Sequence, residues 1–432
     1  MSKLEAIVPG DTGYDTARRV RNHQIDRRPA AIVRCESATD VARAVRLARS
    51  EGLGVAVRGT GSHVAGWATC DDGLLIDLGA MKRSRIDQTM TVRVGPGLCW
   101  GELDAMTTAH GLVVPGAPDP AGGIGGHTLG GGISDLSRPY GLSCDNLLSV
   151  DVVTADGDLI QAGPEQNDDL FWALRGGGGG LGVVTDFRFR LRPVRQLVAG
   201  PLVFPEHLVS TVLRKARDWL ESAPPAASLI AIVWNAPALP FIAKNLQRRP
   251  GLLLLPSWSG LPDNAEVALA PLLGRPAPVF NGIHPMSYPA YRQMLQATIG
   301  QAGPASGGRA ELLSHLSDDV LDEVVTPWLD TNPGCSVILR SLGAAISEIP
   351  SAATAFAHRN ARWLLELSPR AGAAFDDRAL SGVSLGPYLN SLSDPSQADL
   401  QAAYGANLER LGEVKKRWDP DNTFCFGPAL TS

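Results

Sequence analysis

Eleven residues at 122–132 read GGIGGHTLGGG, and seven of them are glycine. Glycine carries no Cβ and enters positive φ freely, so such a run can turn successive backbone N–H groups toward one point. Converging N–H groups form a nest for an anion, which suits a pyrophosphate. A flexible linker would not need the side chains of Ile124, His127, Thr128 and Leu129 that interrupt the run. Two further patches share this chemistry. One is Arg58-Gly59-Thr60-Gly61-Ser62-His63, which follows the apolar Val55-Ala56-Val57. The other is Arg175 with the glycines at 176–180. Three glycine-rich turns far apart in sequence, with Arg58 among them, point to one extended phosphate-bearing ligand. Gly177, Gly179 and Gly182 also fit GxGxxG, but a helical pattern precedes them and a strand pattern follows. That is the reverse of the dinucleotide-binding Rossmann order, so that fold is rejected.

The elements that must carry these turns are legible around them. Ser37 to Asp40 has capping-box form, and Val41, Val45 and Ala48 share one helical face before Gly52. Short strands are predicted at 55–57, 74–78 and 91–94, and a helix at about 100–110 ending at Gly111. Asp156-Gly157 between apolar runs predicts a hairpin joining strands at 147–154 and 159–160. A helix at 168–174 and a strand at 183–191 flank the third glycine patch. Near residue 195 proline becomes frequent, and the segment 196–380 reads as a second α+β region with short apolar runs at 252–255 and 336–339. Leu400, Tyr404, Leu408, Leu411, Val414 and Trp418 predict one amphipathic helix, stopped at Asp419-Pro420.

Composition narrows the class. The chain has 432 residues, which calls for more than one domain. It is 44% hydrophobic and 19% charged with a net charge of −5, an ordinary globular balance without the basic block of a nucleic-acid binder. No apolar stretch reaches the length of a membrane span, and the start lacks a secretory h-region. Six cysteines without a CxxC pair indicate neither a zinc site nor a disulfide framework, and a reducing cytoplasm is expected. No metal is expected; the partner is a small molecule, and nothing in the sequence sets the oligomeric state.

The motifs together resemble the berberine-bridge-enzyme-like flavoproteins of the vanillyl-alcohol-oxidase superfamily, with a PCMH-type FAD-binding fold. The carrying stretches are VRGTGSHVAG (57–66), LLIDLGAMK (74–82), GGIGGHTLGGGISDLSRPYGLSCDNLLSVDVVTADG (122–157) and DLFWALRGGGGGLGVVTDF (169–187). ATAFAHRN (353–360), GPYLNSLSD (386–394) and YGANLERLGEVKKRWDPDNTF (404–424) extend the likeness toward the C-terminus. The resemblance implies an α+β protein in which residues 1–195 and 381–432 bind FAD. Residues 196–380 would then form a substrate domain whose seven-stranded antiparallel sheet roofs the flavin. It implies a cofactor site at Arg58, Gly59, Thr60, Gly61, Ser62 and His63, with Asp119, Gly122, Gly125, Gly126, His127 and Thr128. Gly131, Gly132, Val183, Tyr388 and Asn390 complete that expectation.

The resemblance also implies an FAD-dependent oxidoreductase, an oxidase or a dehydrogenase, acting on a small, largely apolar molecule by hydride transfer to flavin N5, plausibly in secondary metabolism. Such a reaction needs a base, and the Y-x-N motif offers Tyr388 with Asn390. Tyr140 is a further catalytic candidate, and His284, Tyr288, Arg309 and His315 are candidates to line a pocket. A non-redox cyclase or isomerase on the same fold is the alternative. Several positions depart from the family pattern. Where members carry a histidine bonded to the flavin 8α-methyl this chain has Ser62, with His63 one place later, and where many carry a second, cysteinyl link it has Asp119. FAD is therefore expected to be bound non-covalently, with the Asp119 carboxylate opposing charge on reduced flavin and His63 aimed aside. Ser134-Asp135 replaces a usual apolar or glycine pair, and Ser391 replaces a second tyrosine.

Overall fold

The computed structural model describes residues 5–194, 196–299, 308–327, 336–368 and 378–430. Three small sheets and one large one carry the described residues, the smallest being the pair Leu112–Val113 and Arg192–Pro193. The first sheet holds Ala6–Ile7, Ala31–Arg34, Leu74–Asp77 and Val55–Arg58 in that spatial order, with the last three parallel. Its crossover helix, Ala38–Ser50, starts with the expected capping box: Ser37 Oγ accepts from the Asp40 N–H, and the Asp40 carboxylate accepts from the Ser37 N–H. Val41, Val45 and Ala48 on its inner face are fully buried against Val33, Leu74 and Ile76. The second sheet is antiparallel, in the order Ser84–Ile86, Thr91–Val94, Val183–Arg190, Leu147–Val153, Leu159–Ala162. Gly157 takes φ +79 in the hairpin that Asp156-Gly157 predicts.

Two elements depart from expectation. The glycine run at 122–132 is not a loop throughout, because Ile124–Leu129 forms a short helix. Ile124 and Thr128 bury one face of it and hold it in place, while the glycines keep the other face bare. The C-terminal helix is two helices, Gln397–Tyr404 and Leu408–Trp418. Gly405 breaks it at φ +49, and the buried Asn407 donates to the carbonyls of Ser351 and Thr354.

The large sheet has ten antiparallel strands among the described residues, rather than seven. Its core strands are Pro250–Trp258, Ala227–Asn235, Ser336–Ser341, Trp363–Leu367 and Arg309–Leu313. Both faces are covered, so these strands read as near-continuous apolar runs. Leu229, Ala231 and Val233 pack under the helices Val209–Ser222 and Ala265–Leu273. Ile230, Ile232 and Trp234 pack on the opposite face, with the helix Tyr288–Ile299. The last strand, Ser384–Pro387, lies beyond residue 380, so the sheet runs past the boundary expected from sequence. Buried arginines fasten this sheet to the glycine-rich part. Arg138 donates to the carbonyls of Ala227 and Leu342 at 2.6 Å each, and Arg359 grips Asp145 with two bonds at 2.7 and 2.8 Å. No helix among the described residues is long and apolar enough to cross a membrane.

Candidate active site

A cavity of about 420 Å³ runs from the end of strand Val55–Arg58 to the face of the large sheet. Twelve residues expected from the sequence line it: Gly59, Thr60, Gly61, Ser62, His63, Asp119, Gly122, Gly125, Gly126, His127, Tyr388 and Asn390. The third glycine patch joins them through Gly178, Gly179 and Gly180. The three turns therefore meet in one space, as their shared chemistry implied.

Local structure explains the convergence. Strand Val55–Arg58 ends at residue 58 and releases the chain into the cavity wall, with Gly61 at φ +69. Thr60 Oγ1 donates to Ser62 Oγ at 3.3 Å, and the Gly123 N–H reaches the same hydroxyl at 3.4 Å, which ties the first turn to the second. Lys415 is buried and donates to the carbonyls of Gly180 and Phe424 at 2.8 and 3.2 Å. That bond brings Phe424, Phe426, Gly427 and Pro428 to the cavity, where the sequence reading had placed none of them.

Other expected residues serve the wall from behind. Arg58 is buried and paired with Asp77 at 2.8 Å, and it also donates to the Arg19 carbonyl, so its charge is committed within the protein and not to the cavity. Thr128 is fully buried beneath its helix, and Val183 points into the core while its neighbour Val184 lines the cavity. Gly131 and Gly132 have φ +105 and +85 and let the chain pass close to Phe356 and Ser143. Tyr140 is not at the site: its hydroxyl donates to the Pro193 carbonyl at 2.7 Å, and its ring lies by Arg192. His284, Tyr288, Arg309 and His315 are not lining residues either. Arg309 pairs with Glu311 and Asp399, and Tyr288 is buried among apolar side chains.

Two electrostatic expectations change. Asp119 pairs with Arg21, and its other oxygen accepts from the Ala121 N–H, so its charge is offset and partly exposed to water. His63 is not aimed aside. Its ring lines the cavity, stacked on Trp67 with centroids 4.4 Å apart. Its Nδ1 accepts from the Ala65 N–H at 3.1 Å, and burial pushes its pKa down to about 4, so it is neutral with the proton on Nε2.

At the sheet end the polar groups are Tyr388, Asn390, Ser391, Arg340 and Glu366. The Tyr388 oxygen accepts from the Ile133 N–H at 3.0 Å and from Asn390 Nδ2 at 2.9 Å. Burial pushes its pKa up to about 12, so the phenol keeps its proton at neutral pH and has that proton left to donate. Arg340 Nε donates to Glu366 Oε2 at 2.7 Å, and Ser391 Oγ donates to Glu366 Oε1 at 3.2 Å. Glu366 is half-buried and carries the site's carboxylate on the sheet. Neither Arg340 nor Glu366 was anticipated from sequence.

The cavity suits a flavin dinucleotide. A Cβ built at Gly126 or Gly179 meets nothing within 4 Å, so at these points bare backbone borders the open space. The buried His63 Nε2 makes no close hydrogen bond among the described residues, the Leu389 backbone being the acceptor that draws on its proton, and the ring borders the same space. Gly126→Leu is expected to lower FAD affinity by about 10²-fold or more, since its side chain would occupy the cofactor's volume at a helical, unstrained position. Equilibrium dialysis of FAD against a variant of unchanged circular dichroism checks this, and native affinity would show that the helix 124–129 does not border the cofactor.

Known proteins agree with this geometry. Residues 29–163 match the family described as FAD binding domain, and residues 393–430 the family described as berberine and berberine like. The chain is 29% identical to (R)-6-hydroxynicotine oxidase of Paenarthrobacter nicotinovorans, over 97% of this chain and 95% of that one. It is 30% identical to the FAD-linked oxidoreductase easE of Aspergillus fumigatus, over 90% of this chain and 69% of that one. Among solved structures, 6-hydroxy-D-nicotine oxidase from Arthrobacter nicotinovorans superposes with a TM-score of 0.82 at 28% identity, covering 98% and 96% of the two chains. The BBE-like 1 protein of Physcomitrella patens shares the fold, with a TM-score of 0.84 at 23% identity over 97% and 95%. With three glycine turns and a returning C-terminal segment lining one cavity, the chain belongs to the berberine-bridge-enzyme-like family of FAD-dependent oxidoreductases, and FAD is its cofactor.

Proposed function

We propose that the protein oxidises a small, largely apolar molecule, in secondary metabolism, with Glu366 as the proton acceptor. FAD, when bound, supplies the two-electron acceptor. The glycines of the three turns and His63 would hold it, and the protein's own groups manage the proton. The observation that carries the reading is the Glu366 carboxylate, fixed at the cavity by Arg340 and Ser391. A base must be within hydrogen-bond reach of the proton it takes and must be free to accept it. Glu366 satisfies the second condition, because a carboxylate has about four acceptor positions and these two bonds use half of them. Tyr388 is better suited to a complementary part. With two donors already on its oxygen, its O–H is left to orient a polar atom of the substrate.

Apolar walls support the substrate class. Ile133 and Leu364, which pack in one cluster with Tyr388, line the cavity beside these polar groups, which suits a compact molecule with one or two polar atoms. Anaerobic mixing of the yellow holoprotein with a panel of small alcohols and amines is the test. Bleaching of the flavin by a member of the panel, with its oxidised product recovered, is expected. Product formation with an unchanged flavin spectrum would replace this reading with a non-redox cyclase or isomerase.

A further inference from the structure

Asp135 sits in the stretch that follows the central glycine run, and its place there is built by its neighbours. The Ser134 N–H donates to Ser137 Oγ at 2.9 Å, the Leu136 N–H donates to Ser134 Oγ at 3.2 Å, and the Ser137 N–H donates to the Ser134 carbonyl at 3.0 Å. Ser134 and Ser137 are both buried, so this turn is a fixed mount. It presents Asp135 to the large sheet, where Arg340 Nη1 donates to Asp135 Oδ1 at 3.2 Å. The same guanidinium reaches Glu366 through Nε at 2.7 Å. Arg340 and Glu366 lie on neighbouring strands as a diagonal pair, since Arg340 is opposite Leu364 and Glu366 opposite Ile338. One buried arginine is thus shared by two carboxylates, one in the cavity and one behind it.

We infer that Asp135 is a positioning residue for Glu366, acting through Arg340. This rests on the reading of Glu366 as the proton acceptor. An Arg340 devoted to Glu366 alone would draw strongly on the carboxylate's electron pair and turn its fork fully onto it. Asp135 holds one arm of the fork and offsets the guanidinium charge, which leaves Glu366 located by a single guanidinium N–H. Burial opposes the charge on Arg340, and Glu366 and Asp135 outweigh that, so the guanidinium stays protonated. Burial pushes Asp135 up, and Arg340 and Arg292 draw it back down in part. The other ionisable groups facing this cluster are Tyr288 and Tyr291 on the helix Tyr288–Ile299, Asp104 paired with Arg292 at 3.0 Å, and Tyr388 beside Glu366. The second oxygen of Asp135 is buried without a hydrogen-bond partner among the described residues. An unpartnered buried carboxylate oxygen is costly, and its retention fits a charge kept for the site.

Sulfite tests this without knowledge of the substrate. It is an anion that adds to the ring of oxidised flavin through its own electron pair, with nothing leaving, and bleaches the colour. Its affinity is measured against pH for the holoprotein, for Asp135→Asn and for Glu366→Gln, each with FAD content confirmed. Glu366→Gln is expected to remove one pH transition from the affinity, and sulfite's own titration cancels in the comparison. Asp135→Asn is expected to tighten sulfite by about tenfold at mildly alkaline pH, the scale of one charge removed from a poorly screened site. It is also expected to move the Glu366-dependent transition down by about one pH unit. Should the Asn variant fail to retain FAD, Asp135→Ser makes the same measurement. If Glu366→Gln removes the transition while neither Asp135 variant moves it, the positioning role is overturned. If the transition survives in Glu366→Gln, the assignment of Glu366 itself fails.

Discussion

Glu366→Gln is expected to slow anaerobic flavin reduction by about 10³-fold, within the range of a lost general base, while FAD binding is unchanged. Glutamine keeps the side chain's length; its one amide oxygen can accept from Arg340 Nε, and its NH2 can donate to Ser391 Oγ, a hydroxyl that accepts as well as donates, so the sheet has little reason to rearrange. What it loses is the capacity to take a proton. Tyr388→Phe is expected to cost about tenfold, the scale of one lost hydrogen bond to a bound polar atom. It also leaves the Ile133 N–H and one Asn390 donor without their shared acceptor. The order of the two effects is the point of the comparison. Stopped-flow reduction by whichever compound bleaches the flavin ranks them directly. A larger loss for Tyr388→Phe than for Glu366→Gln would return the proton to the tyrosine.

Much of the frame was legible because it rests on short-range rules. The capping box at Ser37, the Asp156-Gly157 hairpin and the short apolar strands at 55–57, 74–78 and 91–94 are each decided by neighbouring residues, and each forms where expected. The cofactor half of the cavity was legible for a related reason. Glycines have few uses at such density, and most of those named do line the space. Arg58 misled because a cation beside a glycine turn resembles a phosphate ligand, whereas Asp77 on the adjacent parallel strand claims it. That pairing depends on sheet register, which residue spacing does not reveal. Tyr140 misled in the same way, through a carbonyl contributed by Pro193.

The substrate half was harder to read because its residues come from strands that are distant in sequence. Arg340 and Glu366 are 26 residues apart, and Asp135 lies 205 residues before Arg340. A signal did exist. SVILRS and WLLEL each place one charge inside an apolar strand, and charges are seldom buried without a paired partner. Two such strands side by side would have suggested a polar spot on an otherwise apolar face. The split of the C-terminal helix was hidden for a different reason. Helical periodicity runs straight through Gly405, and only the tertiary bonds of Asn407 select the break.

Acid precipitation of the purified protein is expected to release all of its FAD and leave a colourless pellet. Attachment at the 8α-methyl requires a nucleophile with an available electron pair. Ser62 has a hydroxyl that accepts from Thr60 and from the Gly123 N–H, with no base among the described residues bonded to it to take its proton. Asp119 cannot form a thioether and is engaged by Arg21. His63 is the remaining candidate, and it does face the cavity. Its ring is held by Trp67, and the free electron pair on Nδ1 is directed at the Ala65 N–H. Its other nitrogen carries the proton, and no carboxylate among the described residues is hydrogen-bonded to it. Covalent bonding would therefore demand the loss of the Ala65 backbone bond or of an N–H proton faced by the Leu389 backbone rather than by a base. His63→Ala is accordingly expected to retain FAD after reconstitution, with an affinity lowered by about tenfold for the lost ring contact and its Nε2 donor. Yellow colour that stays with the acid-precipitated wild type and vanishes in His63→Ala would overturn this and identify the histidine as the link.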